Sequence, residues 1–246
     1  MLAQHLWRVV VTSSIRDLKV YTTYPHSCSY LEEEEATTLF VDPRQAIDKR
    51  LYSRLSVLGF RRSGNHIYRP HCSQCDACVP ARIPVKDFVR KRGQRRVWQR
   101  NQDLMVVESN DIRDDEAFEL YQRYISLRHA DGDMYPPDRE QYEAFLNSVW
   151  DCTRYFRVYD KSKLVAVAVV DVLEDGLSAI YTYFDPEADK RSLGVYAILW
   201  QVEKSLELGL EYLYLGYWIR NCKKMAYKSD YRPLQLYVNS NWTTLL

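Results

Sequence analysis

Between residues 103 and 238 the chain switches repeatedly between a two-residue and a 3.6-residue apolar period, and the order of those switches limits the folds open to it. "DLMVVES" (103–109) reads as a strand. "DDEAFELYQRYISLRHA" reads as an amphipathic helix opening on Asp114 and Asp115, where the helix dipole favours negative charge. A second helix, 138–149, follows Pro136-Pro137. Strands come next at "RYFRVYD", "KLVAVAVVDVL" and "LSAIYTYFD", the last two joined by an Asp175-Gly176 turn. A helix through "SLGVYAILWQVEKSLELG" precedes the strand "EYLYLGY", and a final strand lies at "LQLYV". The order is β-α-α-β-β-β-α-β plus one strand, and the class is α+β.

This order resembles the N-acetyltransferase-like (GNAT) fold, whose two central strands splay to admit an acyl donor. The first hundred residues are irregular by comparison. A strand at "ATTLFVD" leads to Asp42-Pro43, which is expected to open a helix through "RQAIDKRLYSRLSVLG", closed by Gly59. "FRRSGNHIYRPHC" reads as a hairpin turning at Ser-Gly-Asn. Two domains are expected, a smaller cysteine-containing one over 1–102 and a GNAT-like one over 103–246.

The hairpin runs into "CSQCDAC", with Cys72, Cys75 and Cys78 at even spacing. Thiols three residues apart close a strained disulfide ring, and three leave one unpaired. C-x2-C spacing instead converges thiolates on one centre, as zinc and iron–sulfur sites require. Reduced, metal-free thiols packed as small apolar groups are the alternative. No apolar run approaches the ~18 residues of a membrane span, and the start "MLAQHLWRVVVTSSIRDLK" lacks a basic first segment and a small-residue cleavage site. The expected compartment is therefore the cytoplasm, where the six cysteines stay reduced.

A net charge of +1 hides a segregated distribution. Residues 82–100 hold eight Arg or Lys against Asp87 alone, whereas 32–35 are four glutamates. The basic run, interrupted by Val97 and Trp98, suits a polyphosphate backbone with an aromatic for stacking; a solvated helix face explains it equally well.

Five stretches together carry a family resemblance: "CSYL" (28–31), "YRPHCSQCDACVPARIPV" (68–85), "RGQRRVWQRNQDL" (93–104), "DGLSAIYTYFDP" (175–186) and "YLYLGYWIRNCKKMAYKSDYRPLQ" (212–235). In content and order they resemble the bacterial aspartate/glutamate leucyltransferases, relatives of the arginyl-tRNA–protein transferases. Departures are Glu32–Glu35 where relatives tend to have Pro-Gly, Gly93 for Ser, and Gln235 for Glu. The resemblance implies transfer of leucine from leucyl-tRNA to proteins beginning with Asp or Glu, in the N-end rule pathway of protein degradation. Arginine as the transferred residue, and a non-catalytic tRNA-binding module, are the alternatives. It also implies Cys28 as a fourth ligand beside Cys72, Cys75 and Cys78, for zinc or an iron–sulfur cluster. No membrane partner is expected.

The implied reaction is attack of a protein α-amine on an aminoacyl ester. Asp171, ending the run "VAVAVVD", is the expected half-desolvated base, with Tyr181 and Tyr217 as hydroxyl donors. Structural roles, a turn cap for Asp171 and core packing for the tyrosines, are the competing assignments. The acceptor's carboxylate calls for a cation, from Arg69, Arg95, Arg96, Lys228 or Arg232. Arg100, Lys223 and Lys224 join the basic segment as phosphate contacts, and Arg191 precedes the turn that cradles coenzyme A in acetyltransferases. With Gly194 as its single glycine, that turn argues against coenzyme A as a cofactor.

Overall fold

The computed structural model describes residues 15–245. The first part comprises β1 (Val20–Thr22), β2 (His26–Ser27), β3 (Glu35–Ala36), β4 (Thr38–Val41), α1 (Lys49–Val57), β5 (Arg61–Ser63), β6 (His66–Pro70), β7 (Val79–Pro84) and α2 (Arg92–Arg100). The second comprises β8 (Met105–Ser109), α3 (Asp115–Arg128), α4 (Arg139–Leu146), β9 (Thr153–Asp160), β10 (Lys163–Val172), β11 (Gly176–Phe184), α5 (Leu193–Glu207), β12 (Tyr212–Trp218), α6 (Lys223–Ala226), β13 (Leu234–Val238) and β14 (Asn241–Leu245). Most of the quoted start, residues 1–14, lies outside the described residues.

A mixed sheet of eight strands, ordered β14-β13-β7-β12-β11-β10-β9-β8, forms the body. Helices cover both of its faces, which is why β10 reads as one continuous apolar run. Val167 and Val169 pack with Phe118, Tyr121 and Ile125 of α3. Their neighbours Ala168 and Val170 pack with Ile198, Leu199 and Val202 of α5. The two-residue period thus feeds two cores. A four-stranded sheet, β1-β4-β6-β5, carries α1.

Three expectations change. α1 begins at Lys49 rather than beside Pro43. Asp42 spends its carboxylate on the backbone N–H and guanidinium of Arg44, making a turn, while Asp48 accepts from Leu51 N at 2.7 Å and caps the helix. Gly59, at φ +84°, does close it. The boundary at 102/103 does not separate two sheets, because β7, directly after the cysteines, pairs with β12 on one side and β13 on the other. Within the basic run the α-helix is Arg92–Arg100 and Val85–Asp87 makes a 3-10 turn; the run's front is that central strand.

Candidate active site

β11 and β12 run parallel and are paired at Gly176–Tyr212, Leu177–Leu213 and Ser178–Tyr214 only. Beyond Ser178 and Tyr214 they diverge, leaving a gap between the later halves of two central strands. Arg61 of β5 enters at the fork. Its Nη1 donates to Ser178 Oγ at 2.8 Å and its Nη2 to the Ala179 carbonyl at 2.5 Å, the first carbonyl past the last strand pair. Gly216 of β12 lies against this arginine at φ +78°, a backbone conformation that side-chain-bearing residues rarely adopt.

Lys228 lies beside this arginine, in the turn Tyr227–Asp230 that follows α6. It is 3% exposed, and its Nζ reaches the Met225 thioether at 3.4 Å and lies 4.8 Å from the Tyr227 ring centroid. No carboxylate pairs with it among the described residues. Burial, reinforced by the charge of Arg61, pulls its pKa down to about 7.

The wall on the β11 side is aromatic. Tyr124 of α3 meets Tyr181 edge-on at 6.3 Å, Phe184 at 5.0 Å and His129 at 4.9 Å. Burial, then the charges of Lys224 and Arg128, hold His129 below its ordinary pKa. Lys224 of α6 binds Asp131 at 2.8 Å, tying that helix to the loop after α3, and Ser29 donates to Asp133 of the same loop.

The three expected catalytic residues fare differently. Asp171 is not half-desolvated but closed off at 0% exposure. Arg62 Nε and Nη2, the Tyr52 hydroxyl and the Thr153 hydroxyl all donate to its carboxylate, at 2.6–3.1 Å. With both oxygens saturated and no path to solvent, it serves as a structural anchor. Tyr217 is likewise buried, donating to the Gly59 carbonyl at 2.9 Å and lying 3.4 Å from that of Tyr68. Tyr181 of β11 is half-buried against Tyr124 and Phe145, and its hydroxyl makes no hydrogen bond among the described residues; burial raises its pKa, so it stays a proton donor at neutral pH. Its partner in alternation, Tyr183, is buried against the Tyr142 hydroxyl at 2.8 Å.

The expected cations also divide. Arg69 donates to the Leu58 carbonyl and lies over Phe60. Arg191, in the turn before α5, is claimed by Asp103 and Asp160, at 2.9 and 2.7 Å, and its substrate-binding role gives way to a strut from that turn to the α2–β8 loop and the end of β9. Arg100 donates to the Lys190 carbonyl, Arg95 to that of Arg90, and Arg232 to that of Ser229. Arg96 and Lys223 are exposed, and so is Arg92. The basic surface is therefore the outer side of α2.

Cys28, Cys72, Cys75 and Cys78 line one pocket, together with Tyr30, Glu34, Glu35 and Asp76. Among the described residues no three His, Cys, Asp or Glu side chains are drawn in to metal-binding geometry. The donor chemistry, four thiols around one cavity, still fits zinc or an iron–sulfur cluster. Burial and then the charges of Cys28, Cys72, Cys75 and Cys222 push the Cys78 thiol up to about 12. Cys222, just before α6, is thus near the cluster.

Sequence reasoning missed Arg61 and Arg62, reading "RRSG" only as the approach to a turn. The signal was there: two adjacent arginines on a short strand leave from opposite faces, and both are buried.

Two family models cover this architecture. "Arginine-tRNA-protein transferase, N terminus" matches residues 26–96, and "Arginine-tRNA-protein transferase, C terminus" matches 116–238. Among curated relatives, an aspartate/glutamate leucyltransferase of Teredinibacter turnerae is 55% identical over 95% of this chain and 96% of its own. That of Pseudomonas fluorescens strain Pf0-1 is 56% identical over 93% and 97%. A solved lysylphosphatidylglycerol synthetase domain from Agrobacterium fabrum overlaps at a TM-score of 0.43 and 17% identity over 68% of this chain and 51% of its own, too distant to argue from. The chain belongs to the aspartate/glutamate leucyltransferase branch of the arginine-tRNA–protein transferase family.

Proposed function

We propose that this protein transfers leucine from leucyl-tRNA to the N-terminal amine of proteins beginning with aspartate or glutamate. The observation that carries the reading is identity of about 55% along nearly the full length of relatives bearing that name. The ester of an aminoacyl-tRNA is already activated, so no enzyme nucleophile is needed. What remains is to hold amine and carbonyl in attack geometry, to move one proton, and to receive the developing oxyanion.

The gap between β11 and β12 suits these tasks, and its divergence supports a GNAT-like reading of the fold. Arg61 brings a guanidinium to the fork with no carboxylate paired to it among the described residues; it is the cation for the acceptor's acidic side chain. The Tyr181 hydroxyl is available as a donor to the oxyanion. Gly194 packs on Phe184, leaving no glycine-rich cradle for a coenzyme A pyrophosphate. Exposed arginines along α2 receive the tRNA backbone. Cys28, Cys72, Cys75 and Cys78 hold zinc or an iron–sulfur cluster, a reading favoured by their shared pocket. Bound there, the metal would brace the loop that leads into β7.

No helix among the described residues is long and apolar enough to cross a membrane.

The test supplies tRNA charged separately with leucine and with arginine, and peptides beginning with Asp, Glu, Lys or Ala. Leucine on the Asp and Glu peptides alone supports the proposal. Arginine instead keeps the chemistry and changes the donor. tRNA binding without transfer overturns it in favour of a binding module.

A further inference from the structure

The reaction read above needs a base, and the fold denies that role to Asp171. We propose that Lys228, buried at the β11–β12 fork beside Arg61 with only a thioether for a hydrogen-bond partner, accepts the proton that the acceptor's α-amine gives up. The proposal rests on the transfer activity proposed above.

The geometry carries it. An ammonium has three donors, and burying one without an anion is costly. Lys163, Lys204 and Lys224 each meet a carboxylate even though their side chains keep 60%, 19% and 57% of their exposure. Lys228 meets Met225 and an aromatic face, and Arg61 is close enough for its charge to act on it. The charged and titratable groups facing it are Arg61 from β5, Tyr227 beside it and Cys222 just beyond β12. An arginine next to a buried lysine favours the neutral amine, and with a pKa of about 7 a substantial fraction is unprotonated at neutral pH. That is the state a base must occupy.

Access differs from that of Asp171. Lys228 contacts Met225 and Tyr227, side chains on short helical turns, and Tyr227 is 44% exposed. Swinging either aside opens the amine without disturbing the sheet. An acceptor whose carboxylate is held by Arg61 places its α-amine a few bonds away, within the same fork.

The step balances. The amine lone pair forms the new N–C bond at the ester carbonyl, and one amine proton passes to Lys228 Nζ. The C–O bond to the tRNA ribose then breaks, and its oxygen leaves as a hydroxyl carrying the proton back from the Lys228 ammonium.

The experiment compares wild type, Lys228→Arg and Lys228→Met in single-turnover transfer to a saturating Asp peptide, across pH 5.5–9, with thermal melts as a fold control. Arginine keeps the charge and cannot serve as a base; methionine keeps the volume and removes an unpaired charge, so the Met variant should melt no lower than wild type. The expected result is a rate fall of ~10²-fold or more in both variants, with the inflection contributed by Lys228 lost and only that of the acceptor amine, near ~7.7–8, retained. Retention of the wild-type rate and profile by Lys228→Arg would overturn the proposal and leave Lys228 as a binding cation. Rates within twofold of wild type in both variants would overturn it outright. An inactive wild type would instead refute the transferase reading itself.

Discussion

Arg62 and Asp171 meet fork to fork at 2.7 and 3.1 Å, each side chain wholly removed from solvent, and so rivet β5 of the small sheet to β10, an inner strand of the large one. Two further hydroxyls complete the carboxylate. Such a pair contributes little beyond an apolar equivalent, but losing one member strands the other. Asp171→Asn is therefore expected to cost ~3–5 kcal/mol and lower the melting temperature by roughly 10 °C, while the transfer rate per folded molecule stays within about twofold. A rate collapse with an unchanged melt would return Asp171 to the chemistry.

Tyr217 tests the other displaced catalytic candidate. Its hydroxyl donates to the Gly59 carbonyl, which closes α1, so Tyr217→Phe leaves a buried carbonyl short of a donor. A loss of about 1 kcal/mol in denaturant unfolding, with single-turnover transfer unaltered, is the expected pair of results.

For the basic face of α2, Arg92 and Arg96 are exposed and without partners among the described residues. Replacing both by alanine should leave the melt unmoved, weaken tRNA binding, and reduce the slope of log affinity against log salt by about 2. Titrations at several salt concentrations read this directly; an unchanged slope would place the tRNA elsewhere.

The thiol pocket makes a contrasting pair. Cys75→Ser should lower zinc or iron per chain, measured by elemental analysis of the freshly purified protein, and lower the melting temperature. Cys222→Ser should leave metal content intact, since Cys222 is near Cys78 without lining the pocket. Equal metal content in wild type and Cys75→Ser would remove the metal reading.

Lys228 also leaves a stability signature. Its folded pKa of about 7 lies below the ordinary 10.5, so between those values the unfolded chain binds the extra proton. Stability from this group accordingly rises with pH through that window, and the penalty for its buried charge is fully present below pH 7. Lys228→Met is expected to be more stable than wild type at pH 6 and to lose that advantage towards pH 10, which unfolding curves at the two pH values would show.

Much of the second half was legible in the sequence because its elements are long and strongly periodic. The strand "LQLYV" is bounded as expected, and Asp114 caps α3 as its position suggests. β7 was hidden because its buried positions lie inside a run of charge: Arg82, stacked on Tyr212 and Trp242 and donating to Gln235, looks in sequence like one more cation. α6 and β14 are too short or too polar for a periodic signal. For the candidate site, residue types pointed to Tyr181 as a donor and to Lys228 as a cation for the acceptor, but no local pattern distinguishes an accessible carboxylate from one sealed by Arg62, because that arginine is 109 residues away.

The seat of β7 between β12 and β13 has a consequence for how the molecule is made. Ala81 pairs with Gly216 across 135 residues, so the strand emerges early in synthesis and waits for neighbours not yet translated. Closing so long a loop is slow, and contacts of this range dominate the centre of the sheet. The thiol loop and β7 therefore acquire their final shape only after most of the chain has left the ribosome. A chain interrupted before β12 lacks Leu213 and Leu215 and cannot complete the core that β7 shares with that strand.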